Sequence, residues 1–183
     1  MREQCIFAGF GGQGMLLIGT FLAEAAMRAG KHVSWLPSYG PEMRGGTANC
    51  SVVISDKPVA SPMVTAPDTV IAMNLPSMRK FEDIVKPGGL LIVNSSIVEE
   101  KCPRDDIEVV YIPANEIAAK VKNPRGANVA IFGAYVAKKL GVASKENILE
   151  AIRISLGEEK ARFFEGNVRA LEAGIEFTKN LDK

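Results

Sequence analysis

The stretch best suited to chemistry is Gly9-Phe10-Gly11-Gly12-Gln13-Gly14. It has G-x-G-x-x-G spacing and stands between an apolar run, Cys5-Ile6-Phe7-Ala8, and a long run from Met15 to Ala29 that stops at Gly30. Strand, glycine turn and helix in that order can hold an anion. Gly9 permits the tight turn, Gly11 a close approach to the backbone, and Gly14 close packing of helix on strand. The free N–H groups of the first helical turn then face outward, with the positive end of the helix dipole behind them. An ordinary dinucleotide site also needs an acidic residue about 20 residues further on, to hold the ribose. The next strand, His32-Val33-Ser34-Trp35-Leu36, ends in Pro37-Ser38-Tyr39 with no Asp or Glu, which argues against NAD. Two readings stay open: the glycines serve turning and packing alone, or they contact a phosphate or another anion.

The run Pro37-Ser38-Tyr39-Gly40-Pro41-Glu42-Met43-Arg44-Gly45-Gly46-Thr47 is a loop by its Gly and Pro content. If the second strand runs parallel to the first, this loop shares the carboxyl edge of the sheet with the glycine turn, where open α/β sheets bind ligands. Glu42 and Arg44 either pair and brace the loop or meet a partner or an anionic ligand. Three further strands end in small polar residues: Asn74, then Asn94 with Ser95 and Ser96, then Asn115. Each alone reads as a helix cap or a turn; together they would line the same edge. Lys122 and Arg125 lie in a later loop.

Other chemistries have little to work with. His32 is the only histidine and falls in a strand, so a Ser-His-Asp triad or a multi-histidine metal site lacks its parts. Cys5, Cys50 and Cys102 are single and widely spaced, without a C-x-x-C, so an iron–sulfur cluster or structural zinc is not expected here; the sparse set fits a reducing cytoplasm. The start, Met1-Arg2-Glu3-Gln4, lacks the apolar core of a signal peptide, and no run approaches the ~20 apolar residues of a membrane span. With 22 basic and 21 acidic residues the net charge is +1, which predicts neither nucleic acid nor an anionic membrane as partner.

The elements that must position these residues alternate between strand and helix across 183 residues, which suits a single domain over 1–183. Strands are expected at Ala48–Ser55, at a short return from Val59, and at Thr69–Met73, Leu90–Val93 and Glu108–Ile112. Helices are expected after Asn74-Leu75-Pro76 to about Val85, over Glu116–Val121, over Val129–Leu140 with Asn128 as cap, over Ile148–Leu156, and from about Lys160 to Lys179. The last carries a stripe of Phe163, Phe164, Val168, Leu171, Ile175 and Phe177. This gives a Rossmann-like α/β fold, a mostly parallel sheet flanked by helices with a helical C-terminal part. The Met15–Ala29 helix is nearly free of charge all round, so another layer must cover it. A partner subunit is the preferred cover over the chain's own C-terminal helices.

The glycine motif, the run Ser38-Tyr39-Gly40-Pro41-Glu42-Met43-Arg44-Gly45-Gly46, the segment Val53-Ile54-Ser55-Asp56 and the later Asn128-Val129-Ala130-Ile131-Phe132-Gly133-Ala134 together resemble the gamma subunit of 2-oxoacid:ferredoxin oxidoreductases. The resemblance covers nearly the whole chain. It implies a complex that oxidatively decarboxylates a 2-oxoacid to an acyl-coenzyme A and passes electrons to ferredoxin. Thiamine diphosphate, magnesium and the iron–sulfur clusters would belong to alpha, beta and delta chains, and this chain would pack among them, near the coenzyme A site. Cofactor contacts are expected on that basis at Gly9, Gly11, Gly12, Gln13, Gly14, Tyr39, Glu42, Arg44, Gly45 and Asn128, with no catalytic residue or metal ligand. Phe10 in the glycine motif leans toward 2-oxoglutarate and branched-chain members. The alternatives are a stand-alone nucleotide-binding enzyme and a small-ligand regulatory module.

Overall fold

A computed structural model describes residues 1–39, 47–139 and 141–181, with Tyr39 described by its backbone only. Six strands form one sheet: β1 (Arg2–Phe10), β2 (His32–Tyr39), β3 (Thr47–Ser55), β4 (Thr69–Ala72), β5 (Leu90–Asn94) and β6 (Glu108–Ile112). Their order is β2-β3-β1-β4-β5-β6. β1, β4, β5 and β6 pair in parallel, and β3 runs antiparallel to both of its neighbours, so β2 again points the same way as β1. The sheet is thus mostly parallel, as expected. The central strands β4 and β5 are buried along their whole length, which is why they read as unbroken apolar runs.

The helices are α1 (Met15–Arg28), α2 (Leu75–Phe81), α3 (Ala114–Lys120), α4 (Ala127–Lys138), α5 (Lys145–Leu156) and α6 (Phe164–Leu181). Alternate strand residues face two cores. Cys5, Phe7, Val52, Ile54, Ile71 and Ile92 meet α1, α4 and the C-terminal helices, whereas Ile6, Ala8, Val70, Leu91 and Val93 meet Met78 and Phe81 of α2. The expected strand from Val59 does not form. Residues 57–68 contain Pro58, Pro62 and Pro67, which cannot donate to a ladder, and the segment instead leads to Asp68, whose carboxylate accepts from the Gln4 amide at 2.8 Å. The helix expected to run to Val85 ends at Phe81 and tightens into a 3-10 turn over Glu82–Ile84. The Val129–Leu140 helix starts two residues early, at Ala127, and ends at Lys138.

The apolar α1 is covered by its own chain: it lies on β1, β2 and β3, with α5 packed against its back. The expectation of a partner subunit there is corrected on that ground. Leu17 and Met27 remain exposed. The equally uncharged α4 lies between the sheet and α6 and carries the aromatic centre of the core. Phe132 and Tyr135 stack at 5.8 Å, and Phe7 meets both edge-on at 6.4 and 6.2 Å.

The contact of α4 with α6 is so close that side chains are excluded. A Cβ on Gly174 would stand 2.0 Å from the Ala130 carbonyl oxygen, and one on Gly133 would stand 2.4 Å from that of Leu171. The buried stripe of α6 is therefore Ala170, Leu171, Gly174 and Thr178. Of the residues expected in that stripe, Phe163 is exposed and Phe164, Val168, Ile175 and Phe177 are half-buried flanks.

A polar network closes the opposite end of α4. Glu3, 7 % exposed, accepts from Thr69 Oγ1 at 2.7 Å and from Lys139 Nζ at 3.3 Å, and the Cys5 thiol lies between Glu3 and the Tyr135 hydroxyl. The paired cation makes the buried carboxylate tolerable. The sequence reading missed this network; its signal was a lone Glu opening an apolar strand.

The helix contact yields a test. Gly174→Ala is expected to cost about 2–3 kcal/mol through overpacking against backbone that cannot yield. Gly141→Ala, whose Cβ would meet nothing within 4 Å, is expected to stay within about 0.5 kcal/mol of the parent. Urea denaturation of both variants checks the contrast; equal stabilities would refute the close helix contact.

Candidate functional site

The glycine turn sits at the carboxyl end of β1, and each glycine answers a different constraint. Gly12 and Gly14 have φ of +90° and +74°, a region that other L residues adopt only with strain. Gly9 does not. It is required by close approach, since a Cβ there would lie 2.8 Å from Gln13 Oε1 and 2.9 Å from Met15 Cγ. Gly14 was expected to bring the helix against the strand. It instead faces α4: a Cβ would stand 2.3 Å from Asn128 Nδ2.

Gln13 holds the turn. Its backbone N–H donates to the Phe10 carbonyl at 3.1 Å, and its Oε1 accepts both the Phe10 N–H at 2.7 Å and Asn74 Nδ2 at 2.9 Å. Asn74, 1 % exposed, also caps α2 by accepting from the Ser77 N–H at 2.9 Å. One amide thus ties the end of β1 to the end of β4. Asn128 was expected to cap α4, but Gly126 is the N-cap. Asn128 stands inside the first turn and donates Nδ2 to the Gly14 carbonyl at 3.3 Å.

The start of α1 is left open. Its N-cap is Gly14, no side chain among the described residues caps it, and its first turn holds no acidic residue. The N–H groups of Met15, Leu16 and Leu17 precede the first intrahelical bond, from Ile18 N–H to the Gly14 carbonyl. Gly11 and Gln13 beside them are half-buried and Gly12 is exposed. Such an end attracts negative charge.

The loop after β2 begins and ends next to this turn. Tyr39 stands opposite Ala48, which stands opposite Gly9, and Thr47 stands opposite Phe10. Glu42, Arg44 and Gly45 themselves lie outside the described residues. The polar strand ends take the capping role. Asn94 is 0 % exposed; its Oδ1 accepts the N–H groups of Ser96 and Ala114, and its Nδ2 donates to Asn115 Oδ1 at 2.9 Å. Ser96 Oγ accepts the Asn115 N–H and pairs with Glu116, which holds that carboxyl below its usual range. Lys122 and Arg125 are exposed in the connection between α3 and α4, with Lys122 at φ +59°.

The cysteines do not form a ligand set. Burial pushes the Cys50 thiol up to about 12 and raises that of Cys5 well above its ordinary value; neither is poised as a thiolate. Among the described residues there is no group of three or more His, Cys, Asp or Glu that could hold a metal ion. No helix among them is long and apolar enough to cross a membrane.

Asn74→Ala removes both the α2 cap and the donor to Gln13. Its expected cost is about 2 kcal/mol, roughly twice that of Ser144→Ala, which removes only the cap of α5. Thermal denaturation compares the two; equal losses would show that the Asn74–Gln13 bond contributes nothing.

Comparison with known proteins matches this geometry. Residues 4–177 fit the family model of pyruvate ferredoxin/flavodoxin oxidoreductase. The ketoisovalerate oxidoreductase subunit VorA of Methanothermobacter thermautotrophicus is 42% identical over 173 residues, covering 94% of this chain and 35% of that protein. The 2-oxoglutarate synthase subunit KorC of Methanocaldococcus jannaschii is 35% identical over 184 residues, covering 99% of this chain and 96% of that protein. The crystal structure of the gamma subunit of a keto/oxoacid ferredoxin oxidoreductase from Geobacter sulfurreducens superposes with a TM-score of 0.82 at 33% identity, covering 97% of this chain and 99% of that one. The chain therefore spans about a third of the VorA protein and nearly all of the KorC protein, and it belongs to the pyruvate ferredoxin/flavodoxin oxidoreductase family.

Proposed function

We propose that this chain is the gamma-type subunit of a multi-chain 2-oxoacid:ferredoxin oxidoreductase, which converts a 2-oxoacid and coenzyme A to an acyl-coenzyme A and passes the electrons to ferredoxin. The observation that carries this reading is the end-to-end match with KorC, a relative of this length named as one subunit of a 2-oxoglutarate synthase. In the assembly, alpha, beta and delta chains hold thiamine diphosphate, magnesium and the clusters. Thiamine diphosphate supplies the carbanion chemistry there, and this chain performs no bond-making step of its own. Its contribution is to bind and orient coenzyme A. The uncapped N–H groups of Met15, Leu16 and Leu17 suit a phosphate, and Gly11 and Gly12 leave backbone accessible beside them. Tyr39 ends β2 at the same edge, and Glu42, Arg44 and Gly45 follow it in the sequence, Arg44 bringing a positive charge suited to a phosphate. A stand-alone nucleotide enzyme is the less favoured reading, because the second strand ends without a ribose-binding carboxylate.

Purification of the tagged chain from its native cell under nitrogen tests the proposal. The expected eluate contains thiamine- and cluster-bearing chains and reduces viologen only when both a 2-oxoacid and coenzyme A are supplied. The oxoacid giving the highest kcat/KM identifies the substrate. A chain that elutes alone and binds NAD(P) or FAD at micromolar concentration would contradict it.

A further inference from the structure

β2 and β3 form the outer part of the sheet, and unlike the equally uncharged but wholly buried β4 and β5 they carry no Lys, Arg, Asp or Glu along 8 and 9 residues that are partly exposed. Their inner face is accounted for, because Val52 and Ile54 are buried beneath α1. Their other face carries His32, Ser34, Leu36 and Ser38 from β2 beside Asn49 and Ser51 from β3, with Val53 buried where β3 approaches β1. The helix on that side, α2, packs over β1 and β4. His32, Leu36 and Ser38 are exposed, Leu36 at 37 %, and Ser34, Asn49 and Ser51 are half-buried. On the edge itself Trp35 is 38 % exposed. A sheet face in water ordinarily carries charge, and an edge strand is ordinarily guarded by Lys or Glu. Here Pro37 is the one guarding residue in β2. Depletion of charge on an exposed, flat surface is the composition of the centre of a protein–protein contact.

The relatives supply a candidate occupant. The same domain is about a third of the VorA polypeptide, so there it is covalently joined to the remaining two thirds, whereas at KorC length it stands as a separate chain. The polypeptide that matches those two thirds is therefore the candidate neighbour of the separate chain.

We propose that the open, uncharged face of β2 and β3 is where this chain docks on the polypeptide corresponding to the remainder of VorA, through an equally uncharged surface of that neighbour. The proposal rests on the subunit reading above. A charge placed in such a contact would be buried without a partner. Leu36→Glu, and independently Ser51→Lys, are therefore expected to reduce recovery of the neighbouring chain about tenfold or more in the anaerobic purification. Met27→Glu, on the 59 % exposed outer side of α1, is expected to leave recovery unchanged. Each variant is first shown by circular dichroism and thermal melting to fold like the parent.

Recovery of the chain corresponding to the remainder of VorA with the parent and with Met27→Glu, but not with Leu36→Glu or Ser51→Lys, supports the proposal. Undiminished recovery with both charged variants overturns it and leaves the subunit reading standing. Loss of only a second copy of this chain, with the chain corresponding to the remainder of VorA retained, overturns it in favour of self-association. Failure of the parent to recover any oxidoreductase chain overturns both readings.

Discussion

The candidate site depends on one acceptor atom. Gln13 Oε1 takes two hydrogen bonds, from the Phe10 N–H at 2.7 Å and from Asn74 Nδ2 at 2.9 Å. The first closes the glycine turn on itself, and the second locks the turn to the end of the neighbouring parallel strand. With the turn held, Gly12 and Gly14 adopt their left-handed conformations and α1 begins in a fixed direction, leaving its first N–H groups without side-chain competition. Such an end is a preorganised anion seat because the protein has already met the cost of aligning its dipoles.

The second constraint is α4, which couples the two edges of the sheet. At its start Asn128 donates to the Gly14 carbonyl behind the turn, and just past its end Lys139 pairs with buried Glu3 on β1. Between them Phe132 and Tyr135 fill the centre of the core, and the backbone touches α6 at Gly133 and Gly174. A displacement of α4 would move both the turn and the polar network, so the position of the site is set by packing well away from it.

Much of this was legible in the sequence. The strand–turn–helix unit is marked by glycine spacing between two apolar runs, and the buried strands β4 and β5 by short, mainly apolar runs without charge. Tertiary demands were not legible. Asn128 looked like a cap because Asn favours that position locally, but its amide serves Gly14, which is 114 residues away in the chain. Of the large apolar residues expected as the core stripe of α6, Leu171 is buried and Phe164, Ile175 and Phe177 pack at its flanks, but the close approach of α4 puts small residues such as Gly174 at the centre. The apolar surface of α1 suggested a partner because sequence alone does not say that α5 folds back over it. The strand ends at Asn94 and Asn115 suggested a ligand edge, and their amides are used by one another and by neighbouring turns.

These features separate a rigid, inward-facing half of the chain from an outward half that awaits other molecules: the open start of α1 with its adjoining loop, and the neutral face of β2 and β3. The central claim is that the open turn receives a phosphate of coenzyme A within the assembled enzyme. Hydrogen exchange of the amides from Phe10 to Leu17, in the intact oxidoreductase with and without coenzyme A, tests it most directly. The account predicts slowed exchange at Met15, Leu16 and Leu17 when coenzyme A is present, with the α4–α6 contact unchanged. Identical exchange at those three amides, under conditions where coenzyme A supports turnover, would contradict it.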